Sequence, residues 1–208
     1  MKNRKPLPTL EYLNELFELD FSLASGLRRK PRDLIHFEEA RVGKTFNKRY
    51  CNKMAGTKSV KGYYTTRIDG SHFYCHRIVY SMFHKVDLTS EQDIDHIDRN
   101  RDNNHPSNLR LATSSQNTLN STMRNDNFSG FIGISWRGTR KSWIAEVTID
   151  GKRKQLMQSR SLEKVAIARY KAIKELESNF FAPQHDPNNP EAVKIFEKIR
   201  AMEAAGEL

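Results

Sequence analysis

The run from Asp93 to Asn117 constrains the fold more tightly than any other part of the chain. Asp93-Ile94-Asp95-His96-Ile97 alternates polar and apolar residues, which predicts a half-buried strand. Asp98 to Ser107 then holds Asn100, Asn103, Asn104 and Pro106, residues that favour turns, so the chain leaves the strand in a wide surface loop. Asn108-Leu109-Arg110-Leu111 resumes the alternation and predicts a second strand. Thr113-Ser114-Ser115-Gln116 sets a hydroxyl before a helix with a glutamine three residues on, the pattern of a capping box, so a helix begins near Ser114. Asn117 then lies about one turn inside that helix.

Four side chains of this unit form a set with a chemical logic. Asp95 offers a carboxylate and Asn117 an amide oxygen, hard donors that suit Mg²⁺ or Mn²⁺. His96, with an ordinary pKa of about 6.5, is mostly neutral at pH 7 and accepts a proton. Asn108 can cross-link the loop with its amide and so fix the His96 ring. A cation against charged oxygens, a base for water and a frame holding both are what phosphodiester hydrolysis requires. The candidate catalytic set is therefore His96, Asp95, Asn108 and Asn117, with Asp95 and Asn117 as the metal-ligating pair. One condition attaches: neighbours on a regular strand point to opposite faces, so the strand must twist or end at His96.

The same residues resemble the HNH endonucleases, in particular the phage and intron homing type whose third motif residue is Asn. Asp95-His96-Ile97, Asn108-Leu109-Arg110 and a helix carrying Gln116-Asn117 match that family's pattern. The resemblance implies a beta-beta-alpha-metal (His-Me finger) core, metal ligands at Asp95 and Asn117, a general base at His96 and a positioning residue at Asn108. It also implies a preceding hairpin and His-Arg helix. Lys61 to Arg67, the turn Asp69-Gly70 and Ser71 to Cys75 read as that hairpin. His76 to His84, with Ile78, Val79 and Met82 at helical spacing, reads as the helix, and His76 as structural support.

Charge points the same way. The 208 residues carry 35 Lys plus Arg against 25 Asp plus Glu, a net charge of +10, which favours a polyanionic partner such as double-stranded DNA. The excess is concentrated in residues 27 to 67 and 121 to 160, on both sides of the candidate site. Arg28-Arg29-Lys30-Pro31-Arg32 and Lys48-Arg49 read as loop or edge contacts to phosphate, against the plainer reading of a flexible charged loop. Cys51 and Cys75 are the cysteines, without a Cys-x-x-Cys pair, which argues against a disulfide framework. A zinc site built from Cys51, Cys75 and the adjoining His72 and His76 is a competing reading for that stretch. No apolar run reaches the length of a signal-peptide core or membrane span, so a protein of the cytoplasm, nucleoid-associated in a bacterial or phage-infected cell, is expected.

Downstream, Ser121 to Gly130 has the composition of a linker. Gly133 to Trp136, Trp143 to Ile149 and Arg153 to Gln158 read as three short strands, with Asp150-Gly151 as a hairpin turn. Ser161 caps a helix bearing Leu162, Val165, Ala166, Tyr170 and Ile173. This module resembles the APETALA2 or ethylene-response-factor type of DNA-binding domain, through Gly133-Ile134-Ser135-Trp136, Trp143, Ala145-Glu146, Gly151-Lys152 and the spacing from Ala166 to Tyr170. Leu156-Met157-Gln158-Ser159 departs from that family's Leu-Gly-x-Phe, so the last strand is expected to run at a different angle. Such a sheet reads the major groove, and Arg137, Arg140, Lys141, Trp143, Arg153 and Lys154 are the candidate DNA contacts, although a tryptophan such as Trp143 more commonly serves a core between sheet and helix.

The expected organisation is α+β: an N-terminal helix capped by Thr9, bearing Leu10, Leu13, Leu16 and Phe17, plus a basic region (1–60), a nuclease core (61–122), a three-stranded antiparallel sheet with one packing helix (128–182) and a helical tail (183–208). The tail is expected to dock on the nuclease part or to mediate self-association. Function is expected to be site-specific DNA cleavage by a monomer on DNA with one divalent cation. A non-catalytic DNA-binding regulator on a degenerate nuclease scaffold is the alternative, and RNA binding a third.

Overall fold

A computed structural model describes residues 5–120, 126–149, 152–176, 187 and 190–206. It is a mixed α/β structure with small antiparallel sheets, and its contacts divide into two units, 1–113 and 114–208.

In the first unit, Thr9 Oγ1 accepts from Tyr12 N at 3.3 Å and starts helix α1 (Leu10–Leu16), whose Leu13 and Leu16 are buried. Strands β1 (Phe17–Leu19) and β2 (Leu27–Arg29) follow as an antiparallel pair. Helix α2 (Ala40–Tyr50) comes next, and sequence reading did not anticipate it. Its Val42, Phe46 and Tyr50 recur at helical spacing, with Gly43 the buried residue and Arg41, Lys44, Lys48 and Arg49 exposed. Strands β3 (Thr57–Lys58), β4 (Tyr64–Ile68) and β5 (Ser71–Tyr74) form a three-stranded sheet in that order. The hairpin between β4 and β5 closes where expected: Ile68 pairs with Ser71, and Asp69 and Gly70 both have positive φ (43° and 78°), as a two-residue primed turn requires.

Helix α3 (Cys75–His84) runs through the middle of this unit with Ile78 and Val79 fully buried. It packs against Leu13, Leu16, Phe17, Leu27 and Ile68, so the N-terminal segment and the hairpin share one core with it. Strands β6 (Asp93–His96) and β7 (Leu109–Ala112) pair antiparallel at its side. The strand expected to be half-buried is buried at all four residues of β6. Its polar side chains tolerate this because they meet partners inside the unit.

The arginines of the N-terminal basic run do not form a flexible loop. Arg28 pairs with Glu18 at 3.1 Å and with Asp20. Arg29 lies over the rings of Phe17 and Phe46, at 5.4 and 5.5 Å, and donates to Thr66 Oγ1 at 2.9 Å. Arg32 pairs with Asp69 and donates to the Tyr12 hydroxyl at 2.6 Å. These three bind the first unit together, and their expected role as phosphate contacts is corrected accordingly. Lys48 and Arg49 lie on α2 and not in a loop.

Cys75 is a core residue. It is fully buried, its Sγ lies 3.7 Å from Ala55 O, and burial pushes the thiol up to about 12. Metals take the thiolate, and among the described residues no group of three or more His, Cys, Asp or Glu side chains is disposed to hold a metal ion. The zinc reading is dropped on these grounds. Iodoacetamide at pH 8 is expected to leave Cys75 unmodified in the folded protein and to label it after denaturation, as read by mass spectrometry. Labelling in the native state would show that the core around α3 opens.

The second unit begins with α4 (Ser114–Leu119), which starts where the capping box placed it. Strands β8 (Ile134–Arg137), β9 (Ser142–Ile149) and β10 (Lys152–Ser159) form an antiparallel sheet with β9 in the centre. Helix α5 (Leu162–Leu176) packs on it; Lys164 N reaches Ser161 Oγ at 3.3 Å, the expected cap. Trp143, Ala145, Leu162, Val165 and Ala166 make the contact. The pairing of β10 with β9 shifts register between Gln155 and Met157, at Leu156. The turn at 150–151 and most of the linker, 121–125, lie outside the described residues. Helix α6 (Pro190–Ala204) adds Ala192, Phe196 and Ile199 to the same core, with Phe196 stacked on Phe131 at 5.2 Å. The tail therefore completes the second unit, and its apolar stripe is used there. No helix among the described residues is long and apolar enough to cross a membrane.

Candidate nuclease site

Strand β6 ends at His96, which meets the condition set by strand alternation. The chain turns at once: Arg99 N donates to His96 O at 2.9 Å, and Arg99 has φ 64°. Ile97 N donates to Asn108 O at 2.8 Å, so both sides of the loop from 98 to 108 are clamped at its base.

Within the loop Asn108 is the hub. Its Nδ2 donates to Asp98 Oδ1 and to Asn103 O, both at 2.8 Å, and its Oδ1 accepts from Asp98 N at 3.0 Å. Asn103 Nδ2 donates to Asp98 Oδ2 at 2.8 Å. Asn108 thus cross-links the loop as expected. The expected hold on the His96 ring runs instead through a residue read from sequence as a mere loop former: Asn104 Oδ1 lies 3.0 Å from His96 Nε2.

His96 is 4% exposed. Its ring lies edge-on to His76, with centroids 4.9 Å apart, and 6.0 Å from Tyr63, over which Arg101 sits at 4.5 Å. Burial pushes the imidazole pKa down; the bond to Asn104 and the carboxylates of Asp95 and Asp98 push it up more weakly, and the net shift is downward. At pH 7 the ring is neutral, the state that accepts a proton. Asp95 is buried at 5% and directly opposite Arg110 in the ladder; Arg110 Nε and Nη2 both reach its Oδ2, at 2.9 and 2.8 Å. This cross-strand ion pair was not foreseen, although Arg110 belongs to the Asn-Leu-Arg run. Asn117 lies on α4 of the second unit, half-buried.

Residues 73–119 match the family described as HNH endonuclease. Protein 3.8 of Escherichia phage T7 is 39% identical over 87 residues, 42% of this chain and 71% of that protein. The chain carries an HNH endonuclease domain at residues 73–119. The uncharacterized HNH endonuclease L560 of Acanthamoeba polyphaga mimivirus is 40% identical over 60 residues, 29% of this chain and 32% of that protein. No solved structure matches. The HNH domain so defined runs from β5 to α4 and includes His76, Asp95, His96, Asn104, Asn108 and Asn117.

Outside the HNH domain, the sheet of the second unit sorts the remaining candidates by face. Trp143, Ala145 and Val147 of β9 are buried, and the first two meet α5. The alternate residues, Ser142, Ile144, Glu146 and Thr148, point the other way, with Ile144 buried there too. Register puts Arg137 opposite Ser142 and Arg153 opposite Thr148, so both arginines share that outer face. They flank Glu146 at 3.9 and 3.8 Å. Arg140 reaches Gln158 Oε1 at 3.3 Å, and Gln158 pairs with Ile144 in the ladder. Lys141 has φ 43° in the turn between β8 and β9.

Two candidates are corrected. Trp143 has no exposed surface and lies between Trp136 and Phe128, with centroids 5.0 and 5.9 Å away, so it is a core residue and meets no DNA. Lys154 pairs with Val147 and falls on the opposite face from Arg153, so the two cannot contact one groove together.

Proposed function

We propose that this chain is a metal-dependent, site-specific DNA endonuclease of homing type, cutting double-stranded DNA as a monomer. The observation that carries this reading is a buried imidazole next to a carboxylate at the end of β6, inside the HNH domain. His96 takes the proton of the attacking water. Asn108 keeps the loop below it in shape. Asp95 and Asn117 would hold the cation; a carboxylate and an amide oxygen are the hard donors that Mg²⁺ or Mn²⁺ prefers. When bound, that cation supplies positive charge against the phosphate oxygens and the leaving oxygen. The outer face of the second unit's sheet, with Arg137, Arg140 and Arg153, selects the site in the manner of an APETALA2 domain, and Lys141 adds a phosphate contact.

Incubation of phage or bacterial genomic DNA and supercoiled plasmid with the protein tests this directly. Discrete ends are expected with Mg²⁺ or Mn²⁺, and none with EDTA. Tight duplex binding with no cut under any divalent cation would turn the reading to a DNA-binding regulator. Affinity is also expected to fall with salt at a log-log slope of about −5, the value for roughly six neutralised phosphates. A slope near zero would remove the basic surfaces from the account.

A further inference from the structure

Asn104 is 3% exposed and bridges two groups that lie far apart in sequence. Its Nδ2 donates to Ala24 O at 2.9 Å, and its Oδ1 lies 3.0 Å from His96 Nε2. The two ends of an amide are not interchangeable here. A carbonyl oxygen only accepts, so the NH₂ end must face Ala24, and the flipped amide would set oxygen against oxygen. Oδ1 is thereby turned to the ring. An amide oxygen also only accepts, so Nε2 must carry the hydrogen, and a neutral imidazole has one N–H.

We propose that Asn104 is a positioning residue that fixes His96 in its Nε2-protonated tautomer, so that the ring's basic lone pair lies on Nδ1, and that the Ala24 carbonyl sets Asn104 in turn. The proposal rests on His96 being the base. The carbonyl of Ala24 is itself held in place: Asp20 N donates to Gly26 O at 3.0 Å, Gly26 N donates to Leu23 O at 2.8 Å, and Ser22 N donates to Asp20 Oδ1 at 3.0 Å. Gly26, at φ 74°, closes the turn against α3; a Cβ there would stand 2.8 Å from Val79 Cγ2. A turn outside the HNH domain thus dictates which nitrogen of a residue inside it is basic.

Ring ¹⁵N shifts of His96 in the full-length, metal-free protein read the tautomer directly. The wild type is expected to show the Nε2–H form at neutral pH. In Asn104→Ala the Nδ1–H form should appear, and kcat in single-turnover cleavage should fall about 10- to 100-fold, the usual cost of losing such a partner. The Kd for duplex in the absence of metal should stay nearly constant. A wild-type Nδ1–H ring overturns the proposal whether or not Asn104→Ala folds, and so does an Asn104→Ala protein with tautomer and kcat both unchanged. If His96→Ala cuts like wild type, the base assignment has failed, while the tautomer measurement still decides what Asn104 does.

Discussion

His96→Ala is expected to lower the DNA cleavage rate by about 10² to 10⁴ while leaving duplex affinity nearly unchanged. The size follows from removing the group proposed to take the proton of water, a role in the reacting complex and not in its formation. The ring is buried and bonded to Asn104, so alanine also leaves an amide oxygen facing a hole, at about 1 to 3 kcal/mol of stability. Rates must therefore be compared at a temperature where circular dichroism shows both proteins folded. His96→Gln retains a donor for Asn104 and is expected to lose the rate with less of the stability. Equal cleavage by wild type and both variants would end the general-base assignment.

Trp143→Ala is expected to destabilise the second unit by about 3 to 5 kcal/mol, enough to unfold a small unit at ordinary temperatures. Trp143 is the largest fully buried side chain and sits where β9 meets α5. Its indole N–H has no hydrogen-bond partner among the described residues. Trp143→Phe should therefore cost much less, because it removes an unsatisfied donor along with part of the ring. Urea melts of the two variants give the comparison. If Trp143→Ala instead left stability intact and weakened DNA binding alone, the placement of Trp143 in the core would be wrong.

Elements with strong local signals were readable in the sequence. Thr9, Ser161 and the capping box at Thr113 marked helix starts, and Asp69-Gly70 marked a hairpin, because those signals act over three or four residues. The strand carrying Asp95-His96 and the loop after it were legible for the same reason. Helix α2 was not, since Gly43, Asn47 and the basic residues around them read as loop formers and hid the spacing of Val42, Phe46 and Tyr50. Asn104 was not either. In sequence it is one more turn-forming residue beside Asn103, and its work depends on Ala24, eighty positions earlier. Arg110 opposite Asp95 and His76 beside His96 are likewise products of strand register and helix placement. Trp143 and Lys154 were misplaced because composition cannot say which side of a strand meets the helix.

Formal charge and the charge that a polyanion meets are different quantities in this chain. Arg28, Arg29 and Arg32 count toward the excess, yet each is already engaged with a carboxylate, a pair of rings or a phenol of its own unit. They act as mortar. On the outer face of the second unit's sheet, Glu146 between Arg137 and Arg153 similarly blunts the local potential. A surface tempered in this way presents less positive potential than its count of arginines suggests.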